Sequence, residues 1–143
     1  MRNYENSLFD KIMEQVENKE KVIVYSKLTT EDLVSLHYFL TKNFYYSVIV
    51  DDYPFEIFDK HSLLEALYYQ VRLITMHDLN WDAVQEGLSD ALDNFLEFGG
   101  ICLLFKQGNQ LEKNLKDELK ILNEIVKEVN GQNELKKITL IFN

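Results

Sequence analysis

The chain has 143 residues, 46% of them hydrophobic and 27% charged, a balance typical of a folded globular protein rather than a disordered one. Its 24 acidic and 15 basic residues give a net charge of −9, which argues against binding to nucleic acid or to an anionic membrane, because both need a cationic surface. No apolar run approaches the length that spans a bilayer, and the N-terminal residues lack the apolar core of a signal peptide.

The first third of the chain shows apolar patterns that alternate between helix and strand. Helical periodicity predicts a helix at about 4–18, and the β-branched run at 21–25 predicts a strand. A second helix is predicted at about 30–42, with Thr29 as its N-cap, and a second strand at 47–50. Strand, helix and strand in this order indicate a crossover between parallel strands.

The rest of the chain continues the same alternation. A helix should run to about residue 72, with either Asp59 or Ser62 as its cap. The later elements are predicted as an acidic helix over 79–93, a strand at 101–105, a loop at 106–110, one long helix at 111–130 and a strand at 138–142. Asn80 is a good N-cap for the acidic helix. The sequence therefore predicts a single α/β domain over residues 1–143, with about four mainly parallel strands packed with helices. Its only cysteine, Cys102, lies in a strand and can form no internal disulfide, which favours a reducing cytoplasm.

The acidic helix carries two stripes of opposite character. One stripe is apolar and should face the core, with Trp81 at the start of the helix and Gly87 packed closely on a neighbouring element. The second stripe consists of carboxylates four residues apart, which lie roughly 6 Å from one another along a helix axis. Its members are Asp78, Asp82, Glu86 and Asp90.

No lysine or arginine lies between Arg72 and Lys106, whereas six carboxylates do. A solvated helix face is the common explanation of a charge run, but such faces usually mix signs, as the helix at 111–130 does with pairs such as Glu112 and Lys116. Like charges four residues apart destabilise a helix by about 0.2–0.5 kcal/mol per pair. An acidic stripe without basic neighbours therefore favours a basic partner outside this chain.

Enzyme chemistry finds little support in the sequence. Phosphate-binding and dinucleotide-binding glycine motifs, the nucleophile elbow and paired cysteines are all missing. The carboxylates of the acidic stripe follow one helix, so they diverge as a row, whereas a metal site usually draws converging ligands from several elements. We expect no enzyme activity, no metal and no cofactor.

The order of elements and the Asn-Trp-Asp-Ala run at 80–83 resemble the barstar family of intracellular ribonuclease inhibitors. The similar stretch runs from about Ser47 to the end of the chain and includes a further acid at Glu86, the Gly-Gly pair at 99–100 before a buried strand, and the closing strand. The resemblance implies that residues 1–46 are an N-terminal extension outside the compact family domain and that residues 47–143 are the barstar-like core.

The resemblance implies a cytoplasmic, bacterial protein that caps the active site of a basic, secreted, barnase-like ribonuclease, as an immunity or antitoxin protein. It implies that the acidic helix and the loop before it enter the nuclease cleft. Carried onto this chain, the partner-binding residues would be His77 and Asp78 in the docking loop, Asp82 and Glu86 against cationic groups, Gln85 and Asp90 beside them, and Glu128 at the periphery.

Three departures from the family pattern bear on the identity of the target. The loop that is aromatic-aromatic-glycine in the well-known inhibitor reads Met76-His77-Asp78 here. Glu86 replaces the usual aspartate, and Gln85 stands where that inhibitor has an aromatic residue. The alternatives are therefore a binding module for a different basic toxin or host protein and, less favoured, a metal-dependent enzyme that uses the carboxylate row.

Overall fold

A computed structural model describes residues 3–73 and 78–143 of the chain. This part of the chain contains six helices and four strands. In chain order they are α1 (Asn3–Glu17), β1 (Ile23–Tyr25), α2 (Thr30–Lys42), β2 (Tyr46–Ile49), α3 (Lys60–Val71), α4 (Trp81–Asn94), β3 (Ile101–Phe105), α5 (Gly108–Asn114), α6 (Lys116–Gly131) and β4 (Ile138–Phe142). None of the helices in these ranges is long and apolar enough to cross a membrane.

The four strands form one parallel sheet in the order β1-β4-β3-β2. The predicted α/β fold with a parallel sheet of about four strands is confirmed. The two central strands are buried along their whole length, which explains why all their residues except Thr139 are apolar. Strands β1 and β2 follow one another in the sequence but lie at opposite edges of the sheet, so α2 connects the two edges.

Side chains of the central strands alternate between the two faces of the sheet. On one face, residues such as Leu103 and Leu140 join an apolar cluster with α3, α4 and α6. On the opposite face, Cys102, Leu104 and Ile141 pack with α1 and α2. The segment before residue 46 therefore supplies the helices on one face, and the later segment supplies those on the other.

Local capping signals set the starts of two helices. Thr29 caps α2, accepting a hydrogen bond from the Asp32 N–H at 3.1 Å, and α2 covers the predicted residues. For α3 the sequence left two caps open, and the structure selects Asp59. Asp59 accepts from the Ser62 N–H at 2.8 Å, and the Ser62 hydroxyl accepts from the Asp59 N–H at 3.0 Å.

The predicted long helix at 111–130 is wrong in its extent, because two helices occupy this region. The first, α5, begins at Gly108, inside the segment predicted as a loop, and α6 follows after a break at Leu115, whose φ and ψ are −128° and 41°. Leu111 and Leu115 are both buried, so the apolar pattern continues through the break. A Cβ on Gly108 would lie 2.7 Å from the Cβ of Phe142, and glycine therefore lets α5 start against the end of β4.

Candidate partner-binding surface

Helix α4 presents one apolar face to the core and one acidic face to solvent. Asn80 caps it, with its side-chain oxygen accepting from the Ala83 N–H at 2.8 Å. Trp81 is half-buried at the start of the helix and packs against the edge of the larger apolar cluster. The buried residues of α4 are Val84, Gly87, Leu88, Ala91 and Leu92. With this face buried, Asp82 and Glu86 are exposed on the outside.

Gly87 sets how closely α4 packs on the segment that follows α3. A Cβ at this position would lie 3.0 Å from the Cβ of Leu73, and Leu73 is almost fully buried. The predicted close packing of Gly87 on a neighbouring element is therefore confirmed. A larger residue would require Leu73 or α4 to shift.

The outer face of α4 borders an open depression of about 550 Å³. Seven residues line it: Asp82, Gln85, Glu86, Ser89, Asp90, Asp93 and Gln132. Four of the seven are carboxylates, and no lysine or arginine is among them. The depression is therefore a concave, acidic surface without a cation of its own.

The carboxylates of this surface differ in their partners. Asp90 accepts a hydrogen bond from the Asn94 amide at 3.0 Å, and Asp93 accepts one from the Asn133 amide at 3.2 Å. The carboxylates of Asp82 and Glu86 have no hydrogen bond or ion pair with the side chains of residues 8–73 and 78–143 or with the described backbone. In that part of the chain, ion pairs occur only elsewhere, between Lys106 and Asp52 and between His61 and Glu65. The negative charge of Asp82 and Glu86 is thus balanced by no described cation.

The structure brings four of the predicted binding residues together. Asp82, Gln85, Glu86 and Asp90 all line the depression. Two others lie apart from it: Asp78 is exposed just before the cap of α4, and Glu128 is exposed on α6 one turn before Gln132. The seventh, His77, lies outside the described residues.

The depression also includes residues that sequence reasoning did not select. Asp93 belongs to the base-free window between Arg72 and Lys106, so its charge was a usable signal. Gln132 comes from the end of α6, and no local pattern could place it beside α4.

Clustered carboxylates can also form a metal site. Within the described ranges, no group of three or more His, Cys, Asp or Glu residues is arranged to hold a metal ion.

Comparison with known proteins assigns the chain to a family. Comparisons with curated proteins and with solved structures gave no match. A model of the Barstar (barnase inhibitor) family matches residues 55–143, which is more than half of the chain and contains α3, α4, β3, α5, α6 and β4. The match begins eight residues after the start of the resemblance noted in the sequence. The chain belongs to the Barstar (barnase inhibitor) family.

Proposed function

We propose that this protein inhibits a basic ribonuclease by placing the outer face of α4 in the cleft that normally binds RNA. The observation that carries the proposal is the pair of exposed carboxylates at Asp82 and Glu86, which have no partner among the described side chains and lie on a helix within the family match. The protein acts as a binder and not as an enzyme. Its role is that of an immunity or antitoxin protein, which works in the cytoplasm, where the cell's own RNA needs protection.

Carboxylates suit this task because they resemble phosphates to a cationic enzyme. A ribonuclease must hold RNA phosphates with lysine and arginine side chains, and these make short, charge-assisted hydrogen bonds to carboxylates as well. A row of carboxylates along one helix therefore competes with the RNA backbone. Glu86, near the middle of α4, takes the place of a phosphate, and Asp82 pairs with a second cationic residue.

The remaining binding residues support this central pair. Gln85 and Asp90 flank Glu86 in the depression and supply further acceptors. Asp78 and His77 belong to the segment that leads into α4, where they contact the rim of the cleft. Glu128 on α6 adds a peripheral ion pair.

The unpaired charges also favour rapid association. An acidic concave surface attracts a basic protein over a distance, which raises the association rate and makes it dependent on salt. Repulsion within the stripe should fall when a cationic cleft covers it. Binding therefore reduces the electrostatic repulsion between the carboxylates of the free helix.

A titration against barnase at low and at high salt tests the proposal. We expect tight binding that weakens with salt, and losses of about tenfold or more in affinity for Asp82→Asn and for Glu86→Gln, because each leaves a cation of the partner unpaired. Glu86→Gln should keep the unfolding temperature of the wild type or exceed it, since it removes like-charge repulsion. Asp82→Asn should lower it at most slightly, because Asp82 lies in the first turn of α4, where the helix dipole favours a carboxylate. Glu14→Gln is the matched control, because Glu14 is exposed on α1, which packs on the opposite face of the sheet.

Failure of the wild type to bind barnase or other basic ribonucleases would contradict the proposal. Equal affinities for the wild type and the two acidic-face variants would contradict it as well. The departures at Met76-His77-Asp78 and at Gln85 favour a second candidate, a different basic toxin or host protein as the target. In that case the wild type, but not Glu86→Gln, should retain a basic protein other than a ribonuclease from an extract of the native host.

A further inference from the structure

Two leucines near the acidic depression are almost fully exposed. Leu96 is 81% exposed and Leu135 is 88% exposed. Among the large hydrophobic side chains of residues 8–73 and 78–143, only Tyr53, at 87%, is also more than 80% exposed. Single exposed apolar residues are normal on a protein surface, whereas two on adjoining turns need an explanation.

The turns that carry these leucines are joined by hydrogen bonds. Leu96 lies just after α4 and Leu135 just after α6. The Lys136 ammonium donates to the backbone carbonyl of Phe95 at 2.6 Å, and these two residues are the sequence neighbours of Leu135 and Leu96. The amide of Asn133 donates to Asp93 at 3.2 Å. The leucines therefore project from one connected region.

The turn that carries Leu135 is held from both sides. The side-chain oxygen of Asn133 accepts from the N–H groups of Leu135 and Lys136, at 3.0 and 2.8 Å. From the N-terminal part of the chain, the Lys19 ammonium donates to the carbonyls of Asn133, at 3.4 Å, and Glu134. Residues held in one conformation before binding lose less entropy when a partner covers them.

The same region continues the acidic depression. Asp93 and Gln132 line the depression, and each lies three residues before one of the leucines. A surface of charge alone gives fast but salt-sensitive association, whereas buried apolar contacts at an interface slow dissociation. The acidic depression would speed association, and the two leucines would slow dissociation.

We propose that Leu96 and Leu135 form the apolar end of the partner-binding surface and contact the same basic ribonuclease, beside its cationic cleft. The inference rests on the proposed function and adds a second, uncharged contact to it. It also gives the segment before the family match a part in binding, because Lys19 holds the turn that carries Leu135. The target should accordingly have an apolar patch next to its RNA-binding groups.

The test compares association and dissociation rates with barnase for three proteins. The double variant Leu96→Ser/Leu135→Ser should dissociate about tenfold faster or more, at low and at high salt alike, with an association rate close to that of the wild type. Glu86→Gln should instead reduce the salt dependence of the association rate. Tyr38→Ser is the matched control, since Tyr38 is 62% exposed on α2, which packs on the opposite face of the sheet from α4, and it should leave both rates unchanged.

The outcomes separate this inference from the proposed function. If the wild type binds and the double variant dissociates at the wild-type rate, the apolar end is overturned and the acidic helix remains the whole interface. If the wild type binds none of the ribonucleases, the proposed function fails and this inference fails with it. Because both leucines are exposed, the double variant should unfold at the wild-type temperature, which shows that any loss of binding is not a loss of fold.

Discussion

Gly87 and Gly131 both lie in helices, but their surroundings differ in a way that separates helix propensity from packing. A Cβ on Gly87 would lie 3.0 Å from the Cβ of Leu73, whereas a Cβ on Gly131 would meet nothing within 4 Å. We expect Gly131→Ala to raise the free energy of unfolding by up to about 1 kcal/mol. Gly87→Ala should lower it by about 1–3 kcal/mol, because the methyl group overpacks a buried contact. Urea denaturation measures both free energies of unfolding. Equal increases for the two variants would contradict the close approach of Gly87 to Leu73.

Lys137 is a buried cation that donates only to backbone carbonyls among the described residues, those of Gln15 at 3.5 Å and of Lys21. Burial lowers the pKa of Lys137 to about 8, with the thiol of Cys102 opposing this shift and the charge of Lys19 adding to it. In the unfolded chain the proton stays bound up to the ordinary pKa of 10.5. Between these values the unfolded state binds more protons, so the contribution of Lys137 to stability rises with pH.

The Lys137→Met variant isolates this contribution. It keeps much of the length of the side chain and removes the titrating group. We expect the difference in unfolding free energy between the wild type and the variant to move in favour of the wild type as pH rises from about 8 to 10.5. Urea denaturation at a series of pH values measures the difference, and a constant difference across this range would contradict the burial of the charge.

At the scale of elements, local signals predicted the helix starts well. Thr29 and Asn80 each have a side-chain oxygen that accepts from a backbone N–H three residues later, a pattern that the sequence alone displays. The cap of α3 stayed open because Asp59 and Ser62 both fit the same rule. The structure uses both, since Ser62 reaches back to the backbone of Asp59.

The break between α5 and α6 left no comparable signal. Neither proline nor glycine marks Leu115, and buried leucines continue on both sides of it. The start of α5 at Gly108 depends on close contact with Phe142, which is 34 residues away in the sequence. Such contacts are set by tertiary packing, and helix periodicity does not reveal them.

Some residues of the candidate site could be predicted from the sequence and others could not. Asp82, Gln85, Glu86 and Asp90 could be predicted together because one helix places them on one side at a fixed spacing. Gln132 could not, because its place in the depression depends on how α6 packs beside α4. Site residues on one helix could thus be predicted from the sequence, whereas a residue contributed by a second helix could not.

At the scale of the whole molecule, the segment before residue 46 closes one face of the sheet. Its strand β1 pairs with β4, and the buried leucines of α2 cover Cys102, Leu104 and Ile141. Without this segment, those apolar side chains would face water. This dependence supports the prediction that residues 1–143 form a single domain, which stays a prediction.

Removal of residues 1–45 tests that dependence. We expect the fragment 46–143 to lose cooperative unfolding and to aggregate, because the bare sheet face exposes a contiguous apolar patch. Leu36→Ala in the full chain is the matched control. Leu36 is fully buried, so its truncation should lower the free energy of unfolding by about 2–5 kcal/mol while the transition stays cooperative. Near-ultraviolet circular dichroism and urea denaturation measure both, and a fragment with a sharp transition would contradict a single domain.

The alternation of side chains along β3 also bears on how this protein can evolve. Because Leu103 and Leu104 belong to different clusters, the sheet separates α1 and α2 on one face from α4, with its exposed carboxylates, on the other. Substitutions among α1 and α2 can accumulate and compensate one another while α4 keeps its position. If α4 binds a target as proposed, its outer face must fit the shape and charge of that target, whereas the opposite face of the sheet need only keep its apolar packing.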